Sequence, residues 1–150
     1  MGIPEFTEHG LLPAGLHDCN IGDVENDLCW NDHRRAIWSK FCEFLDWAAT
    51  MPKPSAILID GSFVTDKAAP SDVDVAVDVT ACDTDAQNAW FVAFGRKHHA
   101  HKVNFATDFY PYTKEYGNDF GSYFQYVRVQ QALERGVSAD QRKGILRINL

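Results

Sequence analysis

The sequence predicts an α/β (α+β) fold, a short mixed β-sheet with helices packed on one side. Three observations point to it. The apolar run Ile57-Leu58-Ile59-Asp60 enters a Gly61-Ser62 turn, which reads as a buried strand followed by a tight turn. From Asp72 to Val79 the alternation is strict, with Asp72, Asp74, Ala76 and Asp78 on one face and Val73, Val75, Val77 and Val79 on the other. Elsewhere apolar residues recur at helical spacing, most clearly Ile37, Phe41, Phe44, Leu45 and Ala48.

Residues 1–29 carry Gly2, Pro4, Gly10, Pro13, Gly15 and Gly22, and read as an extended, turn-rich arm with one short helix after Asn20. Phe6, Leu11, Leu12, Leu16 and Ile21 lay that arm against the body. A long helix begins after Asn31 or Asp32, both good N-caps, and runs to about Ala49. Met51-Pro52-Lys53-Pro54 ends it, because a residue before proline avoids helical geometry. Arg34 and Arg35, near its start, either reach a phosphate or are solvated surface. Lys67, between the Gly-Ser turn and Asp72, either meets a triphosphate or is an exposed loop lysine; Ser71 is placed to orient the Asp72 carboxylate.

After Thr80 a second helix is capped by Asp83 or Thr84, carries Ala86, Ala89, Trp90, Ala93 and Phe94 on one face, and closes at Arg96-Lys97. His98-His99-Ala100-His101-Lys102 then reads as a pH-sensitive surface turn, since its spacing lacks a paired-ligand pattern. Val103–Tyr110 is the next strand, stopped by Pro111. Gly117 and Asn118 mark a loop; Phe120, Tyr123, Phe124 and Val127 recur at helical spacing, and Gly136 ends that pattern. Tyr110, Tyr112, Tyr116, Tyr123 and Tyr126 offer either a base-stacking surface or core packing with hydroxyls at the rim. The chain closes on a basic turn, Arg142-Lys143, and an edge strand with Leu146, Ile148 and Leu150 on one face. Arg142 or Lys143 meets a triphosphate, or the charges keep that edge from pairing.

Composition bounds the function. The 150 residues form one domain, 1–150, large enough for a core, and 45% hydrophobic content excludes a disordered chain. No apolar run has membrane-spanning length and the N-terminus lacks a signal region, so the expectation is a cytoplasmic protein with no membrane partner. Cys19, Cys29, Cys42 and Cys82 are scattered without zinc or redox spacing, and reduced thiols follow. A net charge of -7 argues against non-specific nucleic-acid binding, while leaving room for a local basic groove.

The chemistry concentrates in the aspartates. Asp72 and Asp74, two residues apart on one strand face, have Cα atoms roughly 6–7 Å apart, a span over which their side chains converge on Mg²⁺. Asp78 lies about 13 Å beyond Asp74 and is outside such a site. Gly61 lets the backbone approach a ligand closely, and Ser62 begins a short helix whose N–H groups and hydroxyl receive a phosphate. Asp108 is the sole carboxylate of its strand, and is either a strand-end residue facing water or a functional acid.

Gly61-Ser62, nine residues, then Asp72-Val73-Asp74-Val75 resembles the signature of the DNA polymerase beta-like nucleotidyltransferase superfamily. The wider pattern is similar to a small (minimal) nucleotidyltransferase-like family of bacteria and phages over nearly the whole chain. It comprises Ile3-Pro4-Glu5-Phe6, Gly10-Leu11-Leu12-Pro13-Ala14-Gly15 and Gly61-Ser62-Phe63-Val64-Thr65. The resemblance implies a nucleotidyltransferase fold in which Gly61 and Ser62, with Lys67 and Lys143, bind a nucleoside triphosphate. Asp72, Asp74 and Asp108 would be catalytic and hold Mg²⁺ or Mn²⁺, with Asp108 the third carboxylate and the base. The implied acceptor is a hydroxyl of RNA, protein or a small molecule, in a toxin–antitoxin or phage-defence setting. The competing expectation is a catalytically silent module of the same fold, an antitoxin or phage inhibitor, that acts on a protein partner by contact.

Overall fold

The computed structural model describes residues 2–116, 124–138 and 140–148. Its centre is the strand pair read from the sequence. The first is β2 (Ala56–Asp60) and the second β3 (Val73–Asp78), antiparallel, with Asp60 opposite Asp74. Three more strands complete a mixed sheet: β1 (Gly15–Cys19), β4 (Thr107–Tyr112) and β5 (Gly144–Ile148), in the order β1-β5-β2-β3-β4. The outer pairs, β1 with β5 and β3 with β4, are parallel; β5 and β2 are antiparallel.

The strand period of two divides the sheet into two faces. One presents Ile57, Ile59, Val73, Val75, Val77, Phe109, Leu146 and Ile148 to three helices, α1 (Ile21–Leu28), α2 (Asp32–Ala48) and α3 (Thr84–Phe105). Val24, Leu28, Phe41, Phe44 and Trp90 answer from those helices, and each large side chain so buried adds roughly 1.5–3 kcal/mol. The opposite face carries Leu58, Ala76, Ile145 and Tyr112, capped by Phe124, and beyond them the aspartates. The short α4 (Val129–Arg135) borders this second face, anchored by Ala132 against Leu11 and Val127. The three helices α1, α2 and α3 therefore cover one side, while α4 borders the cleft of the acidic face on the other.

Several boundaries differ from the sequence expectation. The arm is not wholly extended coil: Gly15–Cys19 forms β1, paired in register with β5, so β5 is an interior strand and not an edge. Residues His98–Phe105 continue α3. No proline or cap interrupts them, and the helix stops only where Ala106 adopts the left-handed conformation, φ 49°, and donates its N–H to His101 O. His101 is consequently buried among Phe44, Trp47, Phe105 and Phe109, and burial pushes its pKa down. Pro111 does not stop β4 but lies inside it. Val73 donates to Ala106 O and Val79 to Tyr112 O, so even-numbered residues of this segment bond β3 and Pro111 turns its missing donor outward from an edge strand. Phe124–Arg128 is a turn with a Tyr126–Arg142 bridge, not helix, and helix begins at Val129. The expectations placed on Gly117, Asn118, Phe120, Tyr123 and Leu150 lie outside the described residues.

Arg34 overturns both alternatives foreseen for it. It is 0% exposed and spends all its N–H donors on backbone carbonyls. Nε donates to Lys67 O (3.1 Å), Nη1 to Leu28 O (2.9 Å) and Phe63 O (2.8 Å), Nη2 to Ser62 O (3.4 Å) and Thr65 O (2.6 Å). Its guanidinium stacks 3.7 Å from the Trp30 ring centre, and burial pushes its pKa down to about 10. Arg35 stays at the surface and pairs with Asp32. Arg34→Met should lower the unfolding free energy by about 3–5 kcal/mol, the range for stripping one side from a buried charged network. Urea midpoints measure this, and a loss under about 1 kcal/mol would contradict the role given to Arg34.

Candidate active site

Three adjacent strands end their alternation on the same row. Asp60 closes β2, Asp74 is the second residue of β3, and Asp108 the second of β4. The register pairs Asp60 with Asp74 and Asp74 with Asp108. Asp72 joins them from just before β3. All four line an open cleft of about 820 Å³, along with Gly61, Ser62, Lys67 and Ser71. The sequence-derived set of Asp72, Asp74, Asp108, Gly61, Ser62, Lys67 and Lys143 is thus brought together in one place.

The Gly-Ser turn is fitted to this row. Gly61 has φ 84°, a left-handed conformation, and a Cβ there would stand 2.5 Å from Asp74 Oδ2. Ser62–Val64 follows as a single 3-10 turn, short of the helix expected to start at Ser62. Arg34 gathers the carbonyls of Ser62, Phe63, Thr65 and Lys67 toward the core, and so fixes the loop that borders the cleft.

Cations surround the acids, and they divide by what they already touch. Lys143 is buried with Asp60, Nζ to Oδ1 at 3.0 Å. Lys102, from the last turn of α3, reaches Asp108 Oδ2 at 3.5 Å and Asp72 Oδ2 at 3.9 Å. Arg135 on α4 holds Asp66 at 2.8 Å and donates to His9 O. Lys67 and Arg128 line the cleft, and among the described residues their side chains make no ion pair. Tyr110 donates its hydroxyl to Asp108 Oδ2 at 2.9 Å, and burial followed by that bond pushes its pKa up to about 12.

Burial dominates the carboxylates. It pushes Asp60 up, against the opposing pull of Lys143 and of the Gly61 N–H. It pushes Asp72 up, with Lys102 pulling back and Asp108 adding to the rise. Asp74 is raised to about 7, first by burial and then by Asp72, Asp60 and Asp108. A carboxyl raised to near neutrality by burial, and further by three neighbouring carboxylates, is a strong acceptor for an added cation.

Sequence reasoning did not single out Asp60, Lys102 or Arg128. Asp60 ends an apolar run and looks like a strand terminus; its register opposite Asp74 is the signal that would have found it. Lys102 was absorbed in the histidine cluster. Arg128 lies in a distant loop with no local pattern. Asp78 is outside the site, as its spacing indicated, and accepts from Thr80 N–H. Of the tyrosines, Tyr112 is buried and Tyr126 stacks on the Arg142 guanidinium at 3.5 Å; the Tyr116 side chain and Tyr123 lie outside the described residues. The four cysteines are free thiols. No helix among the described residues is long and apolar enough to cross a membrane.

Fold and site together define a mixed-sheet domain with a carboxylate row set in a cation-rimmed cleft. Residues 4–149 match the model of DUF6932, a family of unknown function, and the chain belongs to that family. No curated protein and no solved structure matches the chain significantly.

The Asp74 pKa carries a sign that can be checked. Its folded-state value, about 7, lies above the ordinary 3.8. The stability linked to its neutral form is therefore complete below the ordinary value and lost as pH rises through 7. Wild-type stability should fall between pH 5 and pH 8. Asp74→Asn, which cannot ionise, should be the more stable protein at pH 8 by about 1–2 kcal/mol after solvent screening, with the gap closing at pH 5. Denaturant midpoints at the two pH values decide it; parallel pH dependence in both proteins would refute the assignment.

Proposed function

We propose that this chain is a metal-dependent nucleotidyltransferase that moves a nucleoside monophosphate from a nucleoside triphosphate to a hydroxyl of RNA, protein or a small molecule. The observation that carries the reading is the in-register row Asp60-Asp74-Asp108, with Asp72 beside it, directly under a Gly-Ser turn that only glycine can make. Of these residues, Asp72, Asp74 and Asp108 are the ones that the resemblance to the DNA polymerase beta-like superfamily implies, with Asp108 as the third carboxylate from a later strand; Asp60 is not among them.

The donor set suits Mg²⁺ or Mn²⁺, being all carboxylate oxygen. The raised Asp74 is the other favourable sign: burial and then the neighbouring carboxylates disfavour its charge, and an ion there would offset both. As the side chains stand, no three or more His, Cys, Asp or Glu among the described residues close on one point; Asp72 and Asp108 instead share the Lys102 ammonium. A bound divalent ion would supply neutralisation of triphosphate charge.

The chain's own residues do the rest. Gly61 offers backbone without a Cβ where the phosphates pass, and Ser62 adds a hydroxyl. Lys143 is held by Asp60, so the phosphate contacts fall to Lys67 and Arg128, whose charges are in no ion pair among the described residues. The planar Arg128 fork suits a phosphate bidentately. Asp108 accepts the proton of the acceptor hydroxyl, and the Tyr110 O–H holds its orientation.

A second reading draws on the Lys102 contacts. A site whose carboxylates are already bridged by a lysine also suits a silent module, an antitoxin or phage inhibitor acting by protein contact. Incubation with each α-labelled nucleoside triphosphate, Mg²⁺ or Mn²⁺, and total RNA or lysate separates the two. Label should pass to RNA or a protein band, and fall at least about 100-fold in an Asp72→Ala, Asp74→Ala double variant. Folded protein that labels nothing with any donor would replace the transferase by the binding module.

A further inference from the structure

Among the described residues, Lys102 is the one cleft cation in contact with two carboxylates, on two different elements. Its root is fixed. Neighbouring His101 is buried in an aromatic cage, and the helix ends four residues later at Ala106. Its head is not. The side chain is 53% exposed, and its contacts at 3.5 and 3.9 Å are loose for an ammonium against carboxylate. A four-carbon stem rooted in a rigid turn can swing into the cleft without moving the helix. A divalent ion on the same oxygens would lie roughly 2.0–2.1 Å from them and set its two positive charges against the ammonium there.

We propose that Lys102 is a displaceable counter-cation: it neutralises the Asp72–Asp108 pair when no divalent ion is present and contends with that ion for the same oxygens. Once displaced, it swings on its exposed stem to meet the negative charge of a polyphosphate ligand. The inference rests on the reading that these carboxylates take a divalent ion. It makes ion and polyphosphate mutually supportive, because the ammonium expelled by one becomes a partner of the other, and such coupling is reciprocal. The site then stays closed to a lone ion and fills when both ligands arrive together.

Mn²⁺ binding to the full chain, followed by titration calorimetry, tests this without reference to turnover. Lys102→Gln is compared with Lys67→Gln, which removes the same charge from the same cleft but from a lysine in no ion pair among the described residues. Circular dichroism melts establish that each variant is folded. Lys102→Gln should tighten Mn²⁺ alone about 5-fold or more, and Lys67→Gln by less than about 2-fold. Inorganic tripolyphosphate should strengthen Mn²⁺ binding to the wild type, and do so less in Lys102→Gln. Equal tightening in both variants would reduce the effect to general charge and overturn the proposal. Unchanged or weakened binding in Lys102→Gln would overturn it as well, leaving the transferase reading in place. Absence of Mn²⁺ binding in all three proteins would remove both. Binding of Mn²⁺ alone gained only on Lys102→Gln, with the wild type binding it once tripolyphosphate is present, would uphold the counter-cation; a wild type that takes no Mn²⁺ even with tripolyphosphate would overturn it and remove the metal-dependent transferase.

Discussion

The structure depends on a cation that, among the described residues, is in no ion pair and donates to backbone carbonyls alone. Arg34 is taken out of water at a cost that an isolated charge could not sustain, and five carbonyl dipoles repay it. The exchange is mutual. The segment Gly61–Lys67 joins two strands with little regular structure, so its carbonyls lack ladder partners and need a donor. One guanidinium, set in the first turn of α2 by the Asn31 cap, satisfies both needs. Trp30 and Phe63 close over it, so the loop behaves as part of the core and not as a mobile connection.

That rigidity matters because the loop faces a row of like charges. Four aspartates converge at one end of the sheet, and each is treated differently. Asp60 is buried with Lys143; Asp72 and Asp108 share Lys102; among the described residues the Asp74 side chain makes no ion pair, and it carries the raised pKa. The compensation is thus local and unequal, greatest at the flanks and least at the centre. A fold optimised for stability alone would not place an uncompensated carboxylate there, and such a position is the kind at which function is bought with stability.

Much of this was legible in the sequence, for a physical reason. The valine-aspartate alternation of β3, the apolar β2, the Gly-Ser turn and the capped α2 are local patterns, and each appeared where expected. The failures share the opposite property. β1 is short, polar at Asp18 and secured by pairing with residues some 130 positions away, including the Arg147–Asp18 ion pair at 2.7 Å. The α3 terminus was misplaced because three histidines look polar, whereas His101 faces the core. Arg34 looked like surface because its five acceptors are distributed over two loops. Asp60 and Lys143 become partners only through the β2–β5 pairing. Non-local hydrogen bonding, and not any lack of propensity, separates what could be read from what could not.

Pro111 bears on how these molecules meet one another. β4 is the outer strand on the acidic side of the sheet, and an outer strand is a template on which another chain can add. Pro111, halfway along the segment, is itself buried and has no hydrogen to donate on the side away from β3. An added strand would therefore find one donor missing in the middle of β4.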